Sequence, residues 1–319
     1  MKKKMINQTH IEGLLYENDL KKKVSGNDSK NPGTEYISGS VSIATDNACM
    51  NVVTIYYTYV TATTKSGGVN STYTTLEKIL DGAKCVTKDG KDEAVRVSAD
   101  SSIGLNEFYS DRNGNEELVS TRRNSGGFIH ISNDPLNEDE GERATFEADM
   151  LITNTYDVEA NPERGIQAKL AVKGYIFDFR NGLLPVEFSV YNPDGIRFIS
   201  KFECSPKNPV FTKVWGTQVS QTTYREIVEE SGFGGTKVTR KPTVNKDFVM
   251  KGILSKDAMR DNGYIWDTDE AILATEFIEA LQNREIYLAT IKQRQDDYKA
   301  SKKTAAKPTM NATAGNYGF

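Results

Sequence analysis

Two histidines and three cysteines in 319 residues leave little room for several kinds of chemistry. His10 sits near the start and His130 in a strand-like run, and neither has a partner at metal-ligand spacing. Neither accompanies a nucleophile in a setting such as Gly-x-Ser-x-Gly, so Ser/His/Asp and Cys/His catalysis are not expected. Cys49, Cys85 and Cys204 are far apart and odd in number, which supports neither a disulfide framework nor a zinc site. A reducing compartment is the natural expectation. Long apolar runs are also missing: nothing approaches the roughly 18–20 residues of a membrane span. The basic start Met1-Lys2-Lys3-Lys4 runs into polar Asn7-Gln8-Thr9, without the apolar stretch of a signal peptide. The expectation is a cytoplasmic protein (host cytoplasm if phage-encoded) with no membrane association.

The chain instead holds polar, turn-rich β sequence. Apolar residues make up 37%, with 25 glycines and 9 prolines, a balance of modest cores and many turns. The net charge of −4 is unevenly spread. Asp92 to Asp149 carries 14 acidic residues against 5 arginines and no lysine, whereas Lys292 to Phe319 carries six basic and two acidic. An acidic whole with basic ends argues against a general polycation and leaves room for a local basic groove.

Strand chemistry dominates two segments. Glu35–Ile43 alternates around Gly39, which marks a bulge or barrel bend, and Val52–Val60 is almost wholly β-branched or aromatic. Ile11-Glu12-Gly13-Leu14-Leu15-Tyr16 reads as an opening strand, and Thr75 to Leu80 as a short helix. In the second segment strands are expected over 144–152, 166–179, 184–191, 196–203, 210–219 and 248–254, parted by turns such as Asn192-Pro193-Asp194-Gly195. Val172-Lys173-Gly174-Tyr175-Ile176-Phe177 shares an apolar-x-Gly-apolar-apolar-aromatic pattern with residues 11–16, hinting at two related β domains. The expected division is 1–90, a β domain; 91–142, an acidic turn-rich insertion or junction; 143–256, a second β domain; 257–299, a helical segment; and 300–319, a disordered tail. Asp267 with Glu270 makes a capping box for that helix, and Leu273, Phe277, Leu281 and Leu288 give it one apolar face. Gly232-Phe233-Gly234-Gly235-Thr236-Lys237 lacks Walker spacing and reads as a hairpin connection.

Side-chain parity gives the sharpest functional lead. From Lys169 to Phe179 the even positions Leu170, Val172, Gly174 and Ile176 form a core face. The odd face carries Lys169, Ala171, Lys173, Tyr175, Phe177 and Phe179. Rings interleaved with lysines suit single-stranded nucleic acid, because rings stack on bases and ammonium groups neutralise phosphates. Lys213 and Trp215 repeat the theme beside Phe211; Tyr57 and Tyr59 offer rings in the first half, and Lys21-Lys22-Lys23 could track a backbone. The competing reading buries Phe177, Phe179 and Trp215 in a second core beneath the helix.

The order of elements (a Gly-bearing strand, a β-branched aromatic strand, a Gly turn and a short helix) resembles OB-fold single-stranded DNA-binding proteins. The second half, with Lys213-Val214-Trp215-Gly216 and Glu229-Glu230-Ser231-Gly232-Phe233-Gly234, is similar to OB-like replication accessory proteins of bacteriophages. The resemblance implies a mainly β fold of two small OB-like barrels. It further implies a non-catalytic protein without cofactor that protects or organises single-stranded DNA, or RNA, in phage replication or recombination. The tail ending Asn316-Tyr317-Gly318-Phe319 is a candidate contact for replication proteins, and a homo-oligomer is compatible with this reading. Two other readings stand beside it: a β-rich virion or assembly protein, and a metal-dependent nuclease that would need carboxylates converging from ordered elements.

Overall fold

The computed structural model describes residues 5–27, 29–111, 115–161, 166–229, 232–254 and 274–305. Eleven strands pair into one sheet that closes on itself twice. The first ring uses β1 (Asn7–Asn18), β3 (Glu35–Ala44), β4 (Val52–Thr61), β5 (Arg96–Ser110) and β6 (Glu117–Ser132). β1 pairs antiparallel with β3, β3 with β4, β5 with β6 and β5 with β1. A short parallel seam, Ile55↔Asn124 and Tyr56↔Ser125, joins β4 to β6. β2 (Lys21–Val24) is an outrigger on β3.

The second ring repeats the connectivity. β7 (Ala144–Val158) pairs with β8 (Lys169–Phe177), β8 with β9 (Leu183–Val190), β10 (Val210–Glu229) with β11 (Lys237–Ile253), and β10 with β7. Again a parallel seam, Val249↔Ser189, closes it. A helix separates the third and fourth ring strands in both cases: α1 (Ser71–Leu80) in the first, α3 (Pro193–Ile199) in the second. The short turn of helix α2 (Val86–Asp89) follows α1. Five strands in this order, closed by a parallel third-to-fifth pairing, make two OB-like barrels.

Each barrel is filled from its alternating inward positions. Ile11, Leu15, Ile37, Val41, Ile55, Tyr57 and Val97 meet Leu76 and Ile79 of α1 in the first. Phe146, Met150, Ile152, Val172, Ile176, Phe188 and Val214 meet Ile199 of α3 in the second. Gly39, at φ +138°, lies where β3 shifts register and approaches the Asp19 carbonyl so closely that no Cβ fits, in keeping with the barrel bend expected there. The barrels are joined strand to strand, Asn7–Ile11 of β1 pairing with Ala144–Ala148 of β7. Asn7 fastens the joint: its amide donates to the carbonyls of Ile103 (2.9 Å) and Phe177 (2.8 Å), and its oxygen accepts from Ile103 N (3.0 Å).

A third cluster lies outside the second barrel. Met5, Leu151, Phe177, Leu183 and Phe211 pack beneath Phe277 and Ala280 of α4 (Ala274–Ala305). The same helix braces the β5–β6 hairpin through an Arg284–Glu107 ion pair, Lys292–Glu116 (2.7 Å) and Gln295 accepting from Tyr109 N (2.9 Å). By contrast the β10–β11 hairpin reaches past its barrel, the described side chains of both strands being exposed from Tyr224 to Lys246.

Several expectations need correction. Residues 196–203 form no strand; Asn192 caps α3 by accepting from Asp194 N (2.8 Å), with Pro193 at the first turn. The stretch 91–142, read as insertion or junction, supplies β5 and β6, the fourth and fifth strands of the first barrel. Residues 11–16 and 172–177 share a pattern but not a place, one lying in a first ring strand and the other in a second. Helix α4 continues to residue 305, through the first part of the segment read as tail. The Asp267 capping box, Leu273 and the terminal residues 306–319 lie outside the described residues.

Candidate nucleic-acid interface

A groove of about 400 Å3 lies between the barrels, with Tyr56 and Asn124 of the first parallel seam in its lining. Its walls come from β4 (Val53, Thr54, Tyr56), the root of the β5–β6 hairpin (Asn106, Arg122, Arg123, Asn124) and the root of the β10–β11 hairpin (Gln218, Lys246, Phe248). β4 is the third strand of its ring, and OB-folds take oligonucleotides on the second and third strands and the loop between the fourth and fifth.

Strand alternation places the polar groups here. Along β4, Val53, Ile55 and Tyr57 turn inward and Tyr56 outward, where its ring is 38% exposed. Arg123 stands 5.7 Å from that ring. Arg122 points the other way, over the Phe248 ring at 4.8 Å, and donates to the Glu187 carbonyl of the second barrel. Burial lowers the pKa of the Arg122 guanidinium, opposed by the charges of Asp247 and Glu187. Arg122 is therefore a bridge between barrels. Arg123 and Lys246 differ: among the described residues neither has a carboxylate partner.

Apart from the bridging Arg122, the groove thus presents two cations and no carboxylate in its lining, on a chain whose net charge is −4. The β10 wall is tied to the first barrel by Asn51, whose oxygen accepts from Ser220 N at 2.6 Å, and by Thr222 N donating to the Met50 carbonyl at 2.9 Å.

The residues singled out from the sequence are distributed otherwise. Tyr57 is 2% exposed in the first core, and burial raises its phenol; β4 turns it inward, so it is no binding residue. Phe177 is fully buried and Tyr175 half-buried beneath α4, with Tyr175 at 6.1 Å from Phe277 edge-on. Parity put both on the face opposite the barrel core, and α4 covers that face. Lys169 is drawn into a buried network, donating to Ser189 Oγ (2.6 Å) and Asp247 Oδ2 (2.9 Å), and Lys213 is paired with Glu147. Lys173 lies over Tyr156 (4.9 Å) beside Glu187 (3.6 Å). Trp215 is 40% exposed against Gly252, where a Cβ would overlap its indole. Its surroundings include Asp100, Glu142 and Glu147, a poor place for phosphate. Phe179 is 77% exposed under Arg180.

On the first barrel Lys21 pairs with Asp19 (3.1 Å) and Lys22 with Glu77 (2.7 Å). Tyr59 is 46% exposed and stacks at 4.5 Å on Tyr36, whose register partner is Lys23. Sequence reasoning missed Tyr56, Arg122, Arg123, Asn124, Gln218, Lys246 and Phe248. The adjacent arginines in an otherwise acidic stretch were the one signal pointing there.

The YorF family model matches residues 5–294. The chain belongs to the YorF family. No curated protein matches this YorF-family chain. Among solved structures it is similar to a deletion mutant of the single-stranded DNA binding protein from Thermus aquaticus, at 10% identity and TM-score 0.42, covering 78% of this chain and 94% of that one. It is also similar to a Replication Protein A heterotrimer bound to ssDNA, at 11% identity and TM-score 0.19, covering 81% and 67%. The OB-like connectivity stands on this chain's own strand pairings.

Proposed function

We propose that this YorF-family protein is a non-catalytic binder of single-stranded nucleic acid, DNA first, that seats the strand in the groove between its barrels. The observation that carries the reading is the groove itself: Arg123 and Lys246 without a carboxylate among the lining residues, beside the exposed ring of Tyr56. Cations neutralise phosphates and rings accept unstacked bases, a combination that favours single strands over duplex. The exposed β10–β11 hairpin extends the surface with Lys241 and Lys246, which lack carboxylate partners among the described residues. Arg240 and Lys237 there are paired with Glu226 and Glu229. Tyr36 and Tyr59 add a second ring platform on the first barrel. Protection or organisation of strands in phage replication or recombination is the role this binding would serve.

The groove offers positioning groups and no nucleophile paired with a base, and among the described residues no three His, Cys, Asp or Glu side chains converge as metal ligands. The test is a fluorescence anisotropy titration of labelled single-stranded DNA, duplex and RNA at two salt concentrations. Salt-sensitive binding to single strands in preference to duplex is expected. Equal affinity for duplex, or binding indifferent to salt, would overturn the proposal and favour an assembly role.

A further inference from the structure

Two buried amides line the groove, one from each barrel. Asn124, on the seam strand of the first barrel, and Gln218, on β10 of the second, are each 4% exposed. Asn124 Nδ2 donates to Gln218 Oε1 at 2.8 Å and to the Thr54 carbonyl at 3.4 Å. That leaves Asn124 Oδ1 and Gln218 Nε2 without partners, along with Nε of Arg123 next in the chain. Buried polar atoms are nearly always satisfied, so an acceptor and a donor left open on two hydrogen-bonded residues that line one groove are an exception that asks for a cause. Turning both amides over moves the acceptor to Gln218 and the donor to Asn124, and the same pair remains on offer.

We infer that the groove takes one nucleobase and that Asn124 and Gln218 read its hydrogen-bonding edge. A base edge presents adjacent donors and acceptors, the complement of what this amide pair leaves open, and side-chain amides read bases by such two-point pairing. Tyr56 and the Arg123 guanidinium supply planar surfaces for the ring beside the pair, and Lys246 a charge for the adjoining phosphate. The volume of about 400 Å3 falls within the range of small-ligand sites. Because the pair spans the two barrels, a seated base would contact both. The inference rests on the nucleic-acid reading and adds to it a preference among bases.

The test compares affinities for the four homopolymeric DNA strands of one length. The wild-type protein is expected to separate best from worst by about fivefold or more, the lower end of what a two-point contact gives. Asn124→Leu/Gln218→Met replaces both amides by apolar groups of similar shape, which need not cost stability. It should compress the spread among the four strands to within about twofold. Gln218→Glu, which exchanges the open donor for an acceptor, should reorder the preferred base, and it decides alone if the double variant fails to fold. Equal wild-type affinities for all four strands, or a ranking unchanged by these variants, would overturn the inference while leaving strand binding intact. Loss of binding to every strand by the wild type would instead remove the reading beneath it.

Discussion

Asn124 and Gln218 belong to different barrels and share a hydrogen bond of 2.8 Å, Nδ2 to Oε1. That bond crosses from one barrel to the other at the groove, and around it lie the cations and the ring assigned to strand binding. A few ångströms of side-chain reach therefore separate residues that hold the fold from residues free to bind, and substitutions should tell them apart.

Tyr56 and Tyr57 are neighbours on opposite faces of β4. Tyr56→Ala should weaken single-strand affinity by about fivefold to a hundredfold, the value of one base–ring stack, with little change in melting temperature. Tyr57→Ala should do the reverse, costing about 3–5 kcal/mol of stability through the cavity it leaves. Thermal melts beside binding titrations would separate them. Tyr57→Phe should be neutral or stabilising, because its buried hydroxyl has no hydrogen-bond partner.

Trp215 offers a control. Its surroundings are acidic, so Trp215→Phe should leave strand affinity unchanged, measured by extrinsic fluorescence. A large fall in affinity would move the binding surface to the other side of β10.

Phe177 holds α4 on the second barrel. Phe177→Ala should cost about 3–5 kcal/mol and expose the helix to limited proteolysis before the barrels are cut. Cleavage that begins within the barrels would show that α4 is secured elsewhere, through Arg284 and Lys292.

The second seam has one backbone pair and a side-chain clasp: Asp247 accepts from Ser189 Oγ (2.7 Å), Tyr191 Oη (2.9 Å) and Lys169 Nζ (2.9 Å). Burial raises the Asp247 carboxyl, but the hydrogen bonds from Ser189, Lys169 and Tyr191 and the Lys169 charge outweigh it, and the net direction is down. A depressed folded-state value stabilises the protein above the unfolded pKa of about 3.9, and that stability fades as pH falls below it. Asp247→Asn should thus destabilise by about 3 kcal/mol at neutral pH, and the gap from wild type should shrink in denaturant titrations under increasingly acidic conditions. A gap constant down to low pH would refute the clasp.

Much of the architecture was legible because it is written in alternation. Val52–Val60 could be little but a strand, and Gly39 announced its bend. The face opposite a core strand was not legible: alternation shows that Phe177 points away from Ile176 but not that α4 lies over it. Arg96–Ser110 hid for a related reason. Its buried alternation, Val97, Ala99, Ser101 and Ile103, gives way to exposed polar residues as the strand leaves the barrel. α3 was misread because Ile196 to Phe202 has β-type side chains, although Asn192-Pro193-Asp194 is a helix start. The groove assembles residues from β4, β6, β10 and β11, and no local pattern joins Arg123 to Lys246.

The most direct measurement is the salt dependence of single-stranded DNA affinity for the wild type and for Arg123→Ala/Lys246→Ala. Removing one cation from one phosphate should lower the slope of log affinity against log salt by roughly 0.7. The account predicts a slope shallower by about 1.4 for the double variant, with an unchanged melting temperature because neither residue is paired across the barrels. An unchanged slope with full affinity would place the strand elsewhere and contradict the assignment of the groove.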